Sequence, residues 1–223
     1  MHWNVTPEGV AYWFFRLNGC LTIVNFVVHP DLTRKDEPRG QRTDVDILAV
    51  RFPYRRELLT SGRPMEDHPV FNNDRINLII AEVKSSGYCR LNGPWTRKPD
   101  RNMHRVLYAI GAFPSERVPE IAEALYSHGA YCDERFDVRL FAIAAKPADQ
   151  PPLPEVKQLT WKEILGFIWH RFDDYCKHKA QHEQWDPLGQ NLYAVALGLS
   201  REEFIERMLK EMQEPTPRSG RVF

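Results

Sequence analysis

The sequence predicts an α/β domain followed by a helical region, and three observations carry that prediction. Apolar runs rich in β-branched residues recur at 20–30, 43–50, 76–86 and 136–145, as strands require. Segments with helical spacing of apolar residues precede the first run and separate the third from the fourth. The stretch Pro147 to Pro154, with four prolines, is the one shift in composition, and every pattern beyond it is helical. The expected organisation is a core over 1–146, a helical extension packed on it over 147–214, and a disordered tail over 215–223.

Taken in order, Thr6-Pro7 supplies an N-cap and a first-turn proline, and Val10, Trp13, Phe14 and Leu17 follow at helical spacing, so a helix is expected over 7–17. Tyr12 and Phe15 lie off that stripe, which predicts burial on more than one side. Strands are expected at 20–28, 44–52, 76–84 and 136–145, the last continuously apolar as a buried strand would be. The charged segment 31–42 reads as a loop. The connection 53–75 is long enough to be a candidate substrate-contacting loop. Residues 87–100 are expected to be irregular. Helices are expected at 101–112, carrying Met103, Val106, Leu107 and Ile110, and at 118–128 from Pro119. Beyond the prolines, Thr160 and Asp186-Pro187 open helices, and Ser200 to Glu203 forms a capping box before a third.

Composition excludes several classes. With 43% hydrophobic residues, six Trp and twelve Phe in 223 residues, the chain can bury a sizeable core. The net charge is zero, yet residues 1–112 carry 16 Lys/Arg against 12 Asp/Glu and residues 113–223 carry 14 against 18. That asymmetry favours an anionic partner for the first half. Four dispersed cysteines form no C-x-x-C pair and predict a reducing cytoplasm. No signal-like start or run of eighteen apolar residues occurs, so neither secretion nor membrane spanning is expected.

The chemistry concentrates in TDVDILAV at 43–50 and INLIIAEVKSS at 76–86. Alternation along a strand would place Asp44 and Asp46 on one face, and Glu82 and Lys84 on one face. An acid-x-Lys triplet alone says little, because Glu155-Val156-Lys157 is the same tripeptide after PPLP, and there it reads as a solvated linker. Glu82-Val83-Lys84 differs because INLIIA runs straight into it, which puts charges at the end of a buried strand. The ordinary alternative is a Glu-Lys pair exposed at a strand end.

The order helix, three strands, helix, strand, with Asp46 before ILAV on the second strand and Glu82-x-Lys84 on the third, resembles the PD-(D/E)xK nuclease superfamily over residues 7–145. The resemblance implies a restriction-endonuclease-like fold, a mixed central sheet of four or more strands flanked by helices. It implies Mg²⁺ or Mn²⁺ held by Asp46 and Glu82, with Lys84 beside the attacking water and the Val83 carbonyl as a further metal donor. Asp44 could replace Asp46 or add to it. Glu8 matches the first-helix glutamate of some families, and its ordinary role is helix-dipole stabilisation. The Gln-x-x-x-Tyr spacing of RecB-like branches falls on His104 and Tyr108, so that motif is incomplete.

Arg90, Arg97, Lys98, Arg101 and Arg105, interleaved with Tyr88 and Trp95, suit a phosphate backbone with unstacked bases; a solvated face is the alternative. His178 and His182 have a helical metal-ligand spacing but no third ligand, and read as surface residues. The pairs Arg34-Lys35 and Arg55-Arg56 read as solvated. The function expected is a Mg²⁺-dependent nuclease acting on nucleic acid, DNA more than RNA. The alternative is a non-catalytic nucleic-acid-binding or scaffolding module that keeps the fold. Association as a homodimer or larger complex would use the C-terminal helices.

Overall fold

The structure, a computed structural model, describes residues 5–29, 43–58, 66–151, 153–179 and 186–213. The 31–42 loop with Arg34-Lys35, His182 and the expected tail lie outside these residues. Thr6 accepts a hydrogen bond from the Gly9 N–H at 3.1 Å and Pro7 follows it, so the first helix, α1, begins at Pro7 and runs to Leu17. It buries Ala11 and Phe15 as well as the Val10, Trp13, Phe14 and Leu17 stripe, on two sides as its sequence predicts.

An antiparallel meander follows: β1 (Leu21–Val28), β2 (Thr43–Arg51) and β3 (Ile76–Val83). The chain then passes through α2 (Gly93–Thr96), a 3₁₀ turn at Lys98–Asp100, α3 (Asn102–Ile110) and α4 (Val118–His128). It returns in β4 (Ala130–Cys132) and β5 (Phe136–Ala144), and β5 lies parallel to β3. β6 (Lys157–Thr160) pairs in parallel with the last residues of β5, and α5 (Trp161–His178), α6 (Pro187–Gly198) and α7 (Arg201–Glu211) complete the described chain. The result is an α/β fold with a mixed six-stranded sheet, ordered β1-β2-β3-β5-β4 with β6 also on β5. Among the described residues seven α-helices flank it, and none is long and apolar enough to cross a membrane.

Three expectations are corrected. Segment 87–100 is not wholly irregular, because it contains α2 and the 3₁₀ turn; four residues are too few to show a periodic pattern. The region beyond Pro147 is not all helical, because β6 extends the sheet. The triplet at 155–157 is not a solvated linker: Val156 is buried against Gly129 and Lys157 pairs with Phe141, leaving Glu155 exposed beside Arg139.

Strand alternation divides the interior into two cores. Ile79, Ala81, Val83, Phe141 and Ile143 pack with α1, α5 and α7, while Leu78, Ile80, Val138, Leu140 and Ala142 pack with α3 and α4. Both faces are covered, which is why β3 and β5 read as near-continuous apolar runs.

The 53–75 connection is fastened at the Arg51–Asn77 end of β2 and β3. Asp67 accepts from Arg51 Nη2 at 2.6 Å, Arg55 Nη1 at 2.7 Å and Arg171 Nη2 at 2.9 Å. Arg51 and Arg171 are 3% and 1% exposed, and Arg55 also pairs with Glu57, so Arg55 is not the solvated residue expected. The described part of this connection is thus tied into the core, with Asp67 gathering three arginines and Glu57 accepting from Tyr175 and pairing with Lys179. Replacing Asp67 by Ala strands buried guanidinium groups and should cost about 3–5 kcal/mol, whereas Arg171→Met, which leaves Asp67 two partners, should cost clearly less. Urea unfolding midpoints at neutral pH check the order.

Candidate active site

Asp46 stands where the hydrogen-bonded ladders on both sides of β2 lapse. The β1–β2 ladder holds Val24↔Ile47 and Phe26↔Val45 but passes over Asn25 opposite Asp46. Asn25 is in the left-handed region, at φ 52°, where Asn is tolerated better than most residues. The β2–β3 ladder ends at Ile47↔Ala81, one position short of Asp46 and Glu82. Val45 belongs to the α3/α4 core and Ile47 to the α1/α5 core, so the simple alternation that would put Asp44 and Asp46 on one face does not run through Asp46. In place of a ladder bond, Asp46 Oδ2 accepts the Val83 N–H at 2.7 Å. The second strand's aspartate is therefore fixed directly beside the Glu-x-Lys triplet.

Glu82 is 5% exposed, and its carboxylate is held from three directions. Trp95 Nε1 donates to Oε2 at 2.8 Å, Lys84 Nζ to Oε1 at 3.2 Å, and Asn92 Nδ2 also to Oε1. Asn92 Oδ1 in turn accepts from Lys84 Nζ at 2.7 Å. Lys84 is partly open to solvent, its side chain 30% exposed, so the ammonium lies at the mouth of the site and the carboxylate at its floor. The Lys84 carbonyl accepts from Trp161 Nε1 at 3.0 Å, which ties the triplet to the start of α5.

The electrostatics are those of an acid cluster with too little positive charge. Burial, opposed by the Val83 N–H and reinforced by the carboxylates of Glu82, Glu8 and Asp44, pushes the Asp46 carboxyl up to about 6. Burial also raises Glu82, against the lowering effect of Lys84 and Trp95, and Asp44 adds to the rise. All four predicted acids are thus close enough to act on this centre. Glu8 sits in the first turn of α1 and contributes to the field at Asp46, so its dipole position and its place near the site coexist.

The predicted basic residues separate into two groups. Arg97 pairs with Asp100 at 2.7 Å, Lys98 with Glu123, and Arg105 donates to Asn102 Oδ1 at 2.9 Å. Arg90 lies over the Tyr88 ring at 5.7 Å, and Arg90 and Arg101 are exposed without an ion pair among the described residues. His104 has a buried Nδ1 with no partner, and burial, then Arg101 and Arg105, lower its pKa; Tyr108 is exposed. His178 is exposed and its Nδ1 meets the Asp174 carbonyl at 2.9 Å, far in sequence from the acids. Asn92 has no sequence signal as a site residue, and Trp95, expected as an aromatic among the basic residues, is instead buried with its indole on Glu82, because both roles depend on a loop folding back over β3.

The groups of this centre able to ligate a cation are the carboxylate oxygens of Asp46 and Glu82, a hard donor set. Among the described residues no group of three or more His, Cys, Asp or Glu could hold a metal ion. Two carboxylates with so few further acids could serve only an ion that keeps several waters, as Mg²⁺ and Mn²⁺ do, and not one needing a closed protein cage. No family model, curated protein or solved structure matches the chain.

The raised Asp46 pKa has a signed consequence for stability. Below the ordinary carboxylate range the group is protonated in folded and unfolded chains alike and adds no penalty. Between that range and about 6 the unfolded chain ionises first, so stability falls as pH rises, and the penalty is complete above about 6. Asp46→Asn, which can still accept from Val83, should match wild type at pH 4 and exceed it at pH 8 by on the order of 1 kcal/mol after allowance for partial solvent screening. Urea unfolding without divalent ions at the two pH values checks this.

Proposed function

We propose that the chain is a divalent-metal-dependent nuclease of restriction-endonuclease-like fold, a member of the PD-(D/E)xK superfamily, hydrolysing phosphodiester bonds of DNA more than of RNA. The observation that carries the reading is the convergence of Asp46 with the Glu82-Val83-Lys84 triplet through the 2.7 Å bond to the Val83 N–H. Element order supports it as well: a helix, a three-strand meander, helices, the short β4, and β5 parallel to β3.

In this reading Asp46, Glu82 and the Val83 carbonyl would hold Mg²⁺ or Mn²⁺, with Asp44 and Glu8 adding negative field. The ion would polarise the phosphoryl oxygen and lower the pKa of bound water. Lys84 orients the attacking water and offsets the charge that develops on phosphate oxygens. Asp46, raised by burial and its neighbours, would give up its proton more readily with a cation in the site. Arg90 and Arg101, exposed on the segment that also carries Asn92 and Trp95, lie on the same stretch of chain as the cover of Glu82 and suit contact with phosphates.

One observation favours a second reading, a non-catalytic module that keeps the fold. Both Glu82 oxygens already receive hydrogen bonds from Lys84, Asn92 and Trp95, which is the pattern of a satisfied structural carboxylate. Cleavage assays on supercoiled, linear and single-stranded DNA and on RNA, with Mg²⁺ or Mn²⁺, separate the two. The nuclease reading expects metal-dependent cleavage that drops by about 100-fold in kcat for Lys84→Ala. Equal cleavage by both proteins, or none by either, rejects it.

A further inference from the structure

Asn is among the favoured N-cap residues because its side chain accepts a hydrogen bond from a first-turn N–H. Asn92 occupies the N-cap position of α2, with extended backbone, yet makes no side-chain cap bond. Its amide is turned instead to Lys84 and Glu82, accepting from Nζ at 2.7 Å and donating to Oε1. A capping interaction worth about 1 kcal/mol is forgone for this bridge.

The bridge has a definite geometric effect. An ionised carboxylate offers about four lone-pair positions over two oxygens. Oε1 of Glu82 receives two donors, Lys84 and Asn92, and Oε2 receives one, Trp95, from an indole that is 2% exposed and cannot swing away. One position on Oε2 is left. Lys84 is a compact cation on a flexible stem, and without Asn92 only its own 3.2 Å contact with Oε1 holds it there. Freed, it would be drawn towards the under-neutralised Asp46 and Glu82 pair.

We propose that Asn92 is a positioning residue that holds the Lys84 ammonium on Oε1 of Glu82 and so keeps it off Oε2 and Asp46, the groups a divalent cation would use. The inference rests on the nuclease reading of the same centre. It assigns Lys84 two states, one beside the cation site and one competing for it, and makes Asn92 the residue that selects the first.

The experiment is Mn²⁺ titration by calorimetry on the full chain, for wild type, Asn92→Ala, Lys84→Ala and the double variant, with melting curves for each. Asn92→Ala should weaken Mn²⁺ binding by about ten-fold, a typical effect of removing a partner that orients a ligand. The double variant should bind as Lys84→Ala does, because the competing ammonium is gone. The melting temperature should fall modestly in Asn92→Ala, because buried Glu82 loses one of its donors, and equally in the double variant, so the comparison of Mn²⁺ affinities rests on variants that are folded at the titration temperature. Asn92→Leu, which keeps the volume, serves if the alanine variant folds poorly. Wild-type affinity in Asn92→Ala overturns the proposal, as does a double variant weakened as much as Asn92→Ala alone. Wild type that binds no Mn²⁺ through Asp46 and Glu82 overturns the nuclease reading and this inference together, an outcome distinct from the other two.

Discussion

A carboxylate set into the covered face of a β-sheet is the constraint around which this molecule is arranged. An unpaired buried charge is costly, and Glu82 is tolerated because an indole, an amide and an ammonium converge on it. Those groups come from a segment that must leave β3 and fold back over it. The return is fixed by backbone bonds to the far end of β5, from Lys146 N–H to the Gly87 carbonyl at 3.0 Å and from Cys89 N–H to the Lys146 carbonyl at 2.8 Å. Trp161 adds a bond from the start of α5 to the Lys84 carbonyl. The centre is therefore assembled from β2, β3, α2, β5 and α5, and no two of these would make it alone.

Several local rules are broken at this one place. A ladder lapses on both sides of Asp46, Asn25 sits left-handed opposite it, Asp46 carries a raised pKa, and Asn92 leaves its helix uncapped. Elsewhere Thr160 and Ser200 form complete capping boxes and β3 and β5 keep strict alternation between two cores, although Arg101 is also left-handed and α3 and α4 also lack a side-chain cap bond. What distinguishes the Asp46 centre is that several such departures coincide around one pair of carboxylates.

Much of this was legible from residue order, and the remainder has identifiable causes. Helices α1, α5 and α7 announce themselves through Thr6-Pro7, Thr160 and Ser200, whose side chains act within four residues. Asp46, Glu82 and Lys84 are legible because apolar runs adjoin them, and the lysine-glutamate contact spans only two residues. β6 was not legible, since four residues give no usable period and the prolines before it imitate a linker. Asn92 and Trp95 lie ten and thirteen residues from Glu82, across an irregular segment whose path no local pattern specifies. The Asp67 cluster was further still out of reach, joining Arg51, Arg55 and an arginine 104 positions away.

The first and fifth helices share one aromatic seam. Trp13 faces Phe172 with ring centroids 6.3 Å apart, Phe14 faces Phe167 at 5.4 Å, and Gly189 lies so close to Trp13 that a Cβ there would fall 1.9 Å from the indole. The chain is made from its amino end, so these rings emerge long before their partners. At a synthesis rate of about 5–20 residues per second, the roughly 150 intervening residues leave the Trp13–Phe14 surface uncovered for about 8–30 s. For that interval the nascent chain carries the α5-facing side of its first helix without its final cover, although Phe14 can already meet His68 and Phe71.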